Sequence, residues 1–595
     1  KTYDELVKMF KLQNALHEEE YLKAIENTNI MANSVEEFAL DLTFKYPKLG
    51  EDEEKDFKSL VNKMYLDKIK SGVIQKDQRY IDAIQEEFRV LKKIGMLSFM
   101  QFMSELITWC NENDIPVGFC RGSVGGSVVA YITDITDVNP IIWNTKFSRF
   151  ANEDRVEIGD IDIDFAPKDR ERVYEYIIDR FGIDKTSYIL TTNTLADKGA
   201  IDDIVRGFAN KYRRDNGLGK KDETPYSLTY AKEIKDAYEN NPEETREKYK
   251  DIFYYFDGMK GCVVSKGIHP AGMIVSPITL PDNYGTFWEE GKRVISINME
   301  EVHDVSLVKY DILGLKNIGI IKDTCKLVGI KYPKSHEINW SDENVWNDMI
   351  TSNVGIFQFE SPYAFDLLKK FSPHKVNDMS LVNASLRPSG ESYRDRLINK
   401  EINHNPSEII DELLKDNYGY LVFQEDVTRF LQDICGLSGS EADNVRRAIG
   451  RKQLDRLQEA LPRIFEGYCS KSDKPRVTAE EEAKVFLEII EDASSYMFGF
   501  NHSTGYSMIG YLCALLRYYY PAEFVAAYLN NADNEDDINN GNKLAKLKNI
   551  NIKPIQFRYS KGEYFVNKGN NEIYKGIASI KFLNSGSLRA SHTHT

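Results

Sequence analysis

Cysteine is scarce, and what there is of it is scattered. The seven residues are Cys110, Cys120, Cys262, Cys325, Cys435, Cys469 and Cys513, with no CxxC pair among them. That argues against a zinc ribbon or a disulfide framework and for reduced thiols in a cytoplasm. The nine histidines contain no HExxH, and no GK[ST] follows a glycine loop, so neither a zincin helix nor a Walker loop is present. No run approaches the ~18 apolar residues of a membrane span, and no signal-peptide pattern opens the chain. Positive charge is also short. Lys+Arg number 77 against 93 Asp+Glu, a net charge of -16. A basic nucleic-acid coat is excluded, whereas a basic groove on an acidic body is not, because net charge does not describe its distribution. Lys1 is not a start methionine, and the expectation is a piece of a longer chain.

What is present is enough for large cores. Of the 595 residues 42% are hydrophobic and 12% aromatic, which rules out wholesale disorder. At roughly 100–200 residues per domain the length predicts about three to six domains or subdomains. Residues 1–75 read as charged helices. In YIDAIQEEFRVLKKIG, Ile81, Ile84, Phe88 and Leu91 recur at helical spacing. A second apolar helix, MLSFMQFMSELITWC, leads into IPVGF, a short strand candidate. Residues 200–260 are rich in Lys, Glu, Asp and Tyr and read as exposed helices with a loop. Strand-like segments return in CVVSKGIHPAGMIVSP and VISINMEEVHDVSLVKYDIL. From about 317 to 530 the pattern is mainly helical, NNADNEDDINNGN reads as a helix terminus and linker, and YFVNKGNNEIYKG as a hairpin.

The stretch Gly159-Asp160-Ile161-Asp162-Ile163-Asp164-Phe165 is the most informative. With a strand period of two, Asp160, Asp162 and Asp164 share one face, about 6.6 Å apart along the strand. Like charges so placed repel unless cations lie between them. One reading is a solvated acidic strand face. The other is a Mg²⁺ or Mn²⁺ site, which takes oxygen ligands; aspartate is a poor strand former, which favours the metal. About 150 residues later LVKYDIL places Lys309 and Asp311 on one face. They make either an ordinary ion pair or a further ligand with a cation beside it. Arg121-Gly122-Ser123-Val124-Gly125-Gly126-Ser127 precedes a helix-like run. Small residues there let backbone amides approach a phosphate, though many tight turns look the same. The order of turn, acidic strand and further acid fits nucleotidyl transfer.

With these segments assembled, the sequence resembles the bacterial family C replicative DNA polymerases, the DNA polymerase III alpha subunits, over roughly residues 80–580. IPVGFCRGSVGGSVVAYITDITDVNPI is similar to the family's glycine-serine motif and FSRFANEDRVEIGDIDIDF to the motif with two catalytic aspartates. GIHPAGMIVSP and LVKYDILGLKNIGII follow in order, then GIFQFES, SLRPSG, VFQEDVTRFLQDICGLSGSEADNVRRAIGRK and FGFNHSTGYSMIGYLCALLRYYYPAEFVAA.

The resemblance implies an α+β multidomain fold: a polymerase-β-like nucleotidyltransferase palm, a helical thumb and large, mainly helical fingers. It implies a helical segment over 1–79, palm over 80–191 and 267–316, thumb over 192–266, and fingers over 317–553. The start of a truncated helix-hairpin-helix and clamp-binding region would cover 554–595. Asp160, Asp162 and Asp311 would be the catalytic ligands of two Mg²⁺, with Mn²⁺ as a substitute, and Asp164 would stand outside that set. Gly122, Ser123, Arg149, Lys309, Arg387, Arg446, Arg447, Arg451, His502 and Tyr506 would bind dNTP. The partners implied are primer-template DNA and dNTPs, with a sliding clamp and clamp loader for the full-length parent, in the cytoplasm and on no membrane. Lys211, Arg213, Arg214, Lys220 and Lys221 are candidate thumb contacts to DNA, or a solvated helix face. Two departures stand out. The family's N-terminal PHP domain has no counterpart, and Phe498-Gly499-Phe500-Asn501-His502 lacks two residues, one a lysine, of the usual FGFNKSH. The competing functions are a catalytically silent DNA-binding scaffold and a metal-dependent phosphoesterase. Cys120 reads as a small buried filler, and Trp109 and Trp143 as packing residues.

Overall fold

A computed structural model describes residues 1–36, 39–154, 161–387, 390–493, 497–556, 559–567 and 569–580. It shows a mixed α+β architecture. Six strands form one sheet: β1 (Asp162–Phe165), β2 (Thr186–Thr194), β3 (Val263–Val275), β4 (Thr286–Glu289), β5 (Lys292–Asn298) and β6 (Val308–Gly314). Their order is β1-β6-β3-β2-β5-β4. β1 runs parallel to β6 and β2 parallel to β5, and the other neighbours are antiparallel. Parallel neighbours need long crossovers. Between β1 and β6 that crossover is the rest of the sheet.

Ile163, Phe165, Tyr310 and Ile312 are buried on the apolar face of the β1–β6 pair. Phe99 and Phe102, from the Leu97–Glu112 helix, set their rings 5.1 and 5.2 Å from that of Tyr310. The sheet is thus anchored on the apolar helix legible in the sequence. Trp109 stacks on Tyr176 at 4.2 Å and Trp143 meets Trp340 edge-on at 5.5 Å, both as packing residues. Four helices between Asp197 and Met259 are inserted between β2 and β3. They carry a separate core that includes Ile201, Ile234 and Phe256.

Beyond β6 the chain is helical. A second separate core gathers Phe430, Tyr468 and Phe486. The Phe500–Tyr519 helix is buried along most of its length. In its last turn Arg517 is fully buried, pairs with Asp348 at 3.2 Å and donates to the carbonyls of Asp348, Met349, Ser352 and Val354. A small sheet closes the described chain: β7 (Asn551–Lys553), β8 (Phe565–Asn567) and β9 (Glu572–Tyr574), in the order β7-β9-β8. β8 and β9 are the hairpin expected from the sequence.

Two expectations change. IPVGF is not a strand: it makes a single bridge, Val117 to Phe165, and Gly118 N donates to Asp164 O at 2.9 Å. Pro116 has no N–H to extend a ladder, and the glycine turn follows at once. The NNADNEDDINNGN stretch is the expected helix terminus, with Pro521–Asn530 ending on its first residue, but no linker, because a new helix begins within it at Glu535. Asn534 caps that helix, and Glu535, Asp536 and Asp537 in its first turn suit the positive end of the dipole. VISINMEEVHDVSLVKYDIL supplies the strands expected of it at its two ends, β5 and β6. Asn298 caps a short helix, Met299–Asp304, between β5 and β6.

Candidate active site

β1 and β6 put Asp162 directly beside Asp311 in register. Neighbouring strands lie about 4.8 Å apart, so two carboxylates rise together from one face. Asp311 is buried, and its Oδ1 has no hydrogen-bond partner. Lys309, two residues back on the same face, pairs with its other oxygen. Asp164 also lies on this face and is buried, and it belongs to Arg121, whose Nη1 donates to it at 2.8 Å. Burial pushes the Asp164 carboxyl up, against the pull of Arg121. The Arg121 Nε lies 3.8 Å from Asp162. Two cations therefore stand against three carboxylates. Asp160 lies outside the described residues.

The turn closes over this face. Gly122 has φ +74°, and a Cβ there would sit 3.6 Å from Asp162 Oδ2. The Gly122 N–H donates to His502 Nδ1 at 3.1 Å. Asn501 holds the turn from the next position: its Nδ2 donates to Ser123 O at 3.0 Å and Lys146 O at 3.1 Å, and its Oδ1 accepts from Lys146 N at 3.2 Å. Close approach makes this possible. A Cβ on Gly505 would lie 2.5 Å from the Cys120 carbonyl, so only glycine lets the helix come this near. Cys120 itself is buried, and burial pushes its thiol up to about 12, as a filler and not a nucleophile. The His502 ring is 4.2 Å from the Tyr506 ring, and Arg121 lies 5.8 Å over that same tyrosine.

Burial, then Arg121 and Arg387, lower the His502 pKa to about 4, so the ring is the neutral acceptor the Gly122 amide needs. The linkage has a definite sign. Between about pH 4 and pH 6.5 the unfolded chain binds the proton that the fold refuses, so this stabilisation is lost as pH falls through that window. The stability difference between the parent and His502→Asn should therefore be greatest above pH 6.5 and shrink towards pH 4. Parallel pH–stability profiles for the two would refute the assignment.

The other sequence-derived residues divide. Arg149, Arg446 and Arg447 converge on Asp443, which is fully buried, at 3.5, 2.9 and 2.7 Å. Burial pushes the Asp443 carboxyl up, but Arg446, Arg149 and Arg447 outweigh it and leave the pKa below the ordinary value. Burial and the neighbouring Arg149 bring Arg446 down to about 10, against the opposing pull of Asp443. Arg149 Nε is buried without a hydrogen-bond partner, 3.8 Å from Glu425. Glu425 in turn accepts from Phe500 N at 2.6 Å, so this cluster leans on the helix that holds the turn. Arg387 is exposed and lies 4.8 Å over the Phe498 ring. Arg451 is exposed at the end of its helix and makes no contact with the acidic face among the described residues. Lys211, Arg214, Lys220 and Lys221 are exposed, and Arg213 is half-buried.

Among the described residues no three His, Cys, Asp or Glu side chains converge as a metal cluster. The two carboxylates in register still suit a hard divalent cation. Their donor set is oxygen only, and Asp311 Oδ1 is an orphaned buried acceptor facing no protein donor. The sequence reading missed Arg121, Asn501, Glu425 and Asp443. His269 also borders the site: its Nδ1 accepts from Gly272 N at 2.8 Å, and Gly272 pairs with Asp311 across β3 and β6.

A carboxylate pair on a mixed sheet, flanked by cations and a glycine turn, defines a site suited to polyphosphate chemistry. The family of the bacterial DNA polymerase III alpha NTPase domain matches residues 56–314, and that of the bacterial DNA polymerase III alpha subunit finger domain matches 317–472. The DNA polymerase III subunit alpha of Aquifex aeolicus is 30% identical over 603 residues, covering 94% of this chain and 51% of that protein. The subunit of Escherichia coli K12 is 29% identical over 87% of this chain and 46% of its own length, and that of Treponema pallidum 32% identical over 77% and 39%. The chain belongs to the bacterial DNA polymerase III alpha family. It spans about half the length of the curated relatives it matches, or less. No helix among the described residues is long and apolar enough to cross a membrane.

Proposed function

We propose that this chain carries out template-directed DNA synthesis, adding dNMP from dNTP to a primer 3′-hydroxyl with release of pyrophosphate. The observation that carries the reading is the register of Asp162 against Asp311, with an orphaned Asp311 oxygen and a glycine turn so close that a Cβ on Gly122 would sit 3.6 Å from Asp162 Oδ2. Asp162 and Asp311, joined by Asp160, would hold two Mg²⁺ or Mn²⁺. When bound, these supply acidification of the primer hydroxyl and stabilisation of the leaving pyrophosphate.

The chain's own residues do the rest. Asp162 and Asp311, side by side in register, would hold the cations on one face of the sheet. Arg121 and Lys309, already set against these carboxylates, offset charge gathering on the phosphates. Gly122 leaves room for a phosphate beside Asp162, and Ser123 follows it in the turn. His502 and Tyr506 hold the turn and wall it, the ring of His502 occupying the Gly122 amide. Arg149, Arg446 and Arg447 form a cationic cluster on Asp443 that would add positive potential on the triphosphate side. Arg387 would reach the same nucleotide from beside His502.

In this reading the six-stranded sheet is the palm, the helices inserted between β2 and β3 the thumb, and the helical region after β6 the fingers. Thumb lysines and arginines would meet the DNA backbone, so binding should weaken steeply with salt. The test is extension of a recessed primer on a DNA template with dNTPs and Mg²⁺. Incorporation that follows the template and stops with EDTA supports the proposal. Retained primer-template binding without incorporation would favour a scaffold, and inorganic phosphate released from a monoester would favour a phosphoesterase.

A further inference from the structure

Glu87 lies on the Gln78–Lys93 helix, well before the turn in sequence, and is 3% exposed. Its Oε1 accepts from Val128 N at 2.9 Å, and its Oε2 from Ser127 Oγ at 2.7 Å and Val129 N at 2.9 Å. The Ser127 oxygen accepts in turn from Ala130 N at 3.0 Å. Ser127 to Ala130 is the first turn of the Val128–Ile132 helix, which begins where the glycine turn ends. All three groups facing Glu87 are donors, and a carboxylate is the side chain that only accepts. An amide in its place would set an NH2 against an N–H. Burying a carboxylate is costly unless it is fully hydrogen-bonded, and a five-residue helix packed in an apolar core does not require one.

The opposite arm of the turn is held differently, by His502 on Gly122 and Asn501 on Ser123. Between the two arms the backbone at Gly126 runs against Lys146 O, with no room to slide. The turn is clamped at both ends, and its Asp162-facing glycine, Gly122, is held by the His502 clamp itself.

We propose that Glu87 is a positioning residue for the incoming nucleotide: its carboxylate fixes the far arm of the Gly122–Ser127 turn, so that the turn is pre-formed for the triphosphate. This rests on the polymerase reading above. Glu87 touches no substrate. It acts through backbone amides, and its loss should weaken nucleotide binding while leaving the chemistry to the aspartates.

Steady-state dNTP kinetics on a primer-template decide it, with Glu87→Gln and Ser127→Ala beside the parent, well below each protein's melting temperature. The expected result is a KM for dNTP raised about tenfold in Glu87→Gln, with kcat within about twofold and primer-template Kd unchanged. Ser127→Ala, which removes one of the three donors, should give a smaller rise of the same kind. An active parent with Glu87→Gln at the parent's KM, or with kcat lowered and KM unmoved, overturns the inference alone. Should Glu87→Gln fail to fold, Ser127→Ala decides by itself, and an unchanged KM there overturns it. A parent that extends no primer removes the polymerase reading and the inference with it.

Discussion

Asp311→Asn should lower primer extension about a thousandfold, and Asp162→Asn by a similar factor. Each substitution keeps the shape and one acceptor but removes a formal charge from a pair whose function depends on charge. Metal ligands of this kind supply several kcal/mol to the transition state, and about 4 kcal/mol corresponds to three decades of rate. The two substitutions should part company in stability. Asp311 is paired with Lys309, whose side chain is only 19% exposed, so Asp311→Asn leaves a half-buried ammonium without its counter-charge. Asp162 is more exposed, and its arginine, 3.8 Å away, keeps its closer partner Asp164. Asp162→Asn should therefore melt at or above the parent's temperature, and Asp311→Asn slightly below it. Single-turnover extension with Mg²⁺ and a melting curve for each variant suffice. Either variant extending within tenfold of the parent, with its fold intact, would remove that residue from the metal site.

That each of these aspartates lies on the polar face of a strand was legible because each element announces itself locally. Asp162 alternates with apolar residues on a strand, and Lys309 and Asp311 do the same on another, so the face of each could be read from period alone. Their register was not legible. Nothing in either segment says that β1 lies beside β6 and not β3, since strand order is set by the helices and loops packed around the sheet. The apolar Leu97–Glu112 helix could be read from its pattern. IPVGF misled because a short apolar run before a glycine turn has the composition of a strand, whereas Pro116 and the turn leave it one bridge. NNADNEDDINNGN misled because Asn and Asp favour linkers and helix N-termini alike, and Asn534 serves as a cap.

The residues around the aspartates were harder to see. Asn501 is 1% exposed and holds three backbone groups of the turn and its neighbour, 355 or more positions away in sequence. A lone Asn between Phe500 and His502 carries no such signal. The shortened FGFNH spelling was legible as a departure, but its consequence was not: the structure fills the place with an asparagine and a neutral histidine bonded to the turn. Arg121, which opens the glycine turn, had a signal in its position, a cation immediately before a phosphate-type loop. Asp443 and Glu425 had none, because a buried acid among helix arginines reads as surface pairing until the fold buries it.

Gly126→Ala should destabilise the chain by about 3 kcal/mol or more and raise the KM for dNTP with it. The added Cβ would lie 2.1 Å from Lys146 O, 2.5 Å from the Lys146 carbonyl carbon and 2.5 Å from Asn501 Nδ2. Two of those atoms are backbone, and the third belongs to the side chain that ties the turn to the Phe500–Tyr519 helix. None can retreat alone. Moving Lys146 breaks its bonds to Asn501 in both directions, and moving Asn501 releases Ser123 O. The strain therefore passes into the turn that faces Asp162. Gly258→Ala supplies the contrast. It sits in the Lys250–Met259 helix with nothing within 4 Å of its would-be Cβ, where alanine should be neutral or stabilise by up to about 1 kcal/mol. Denaturant unfolding of the two variants against the parent measures the difference directly. Equal stability for Gly126→Ala and the parent would mean that the turn has slack, and the clamped geometry on which the proposed nucleotide site depends would be wrong.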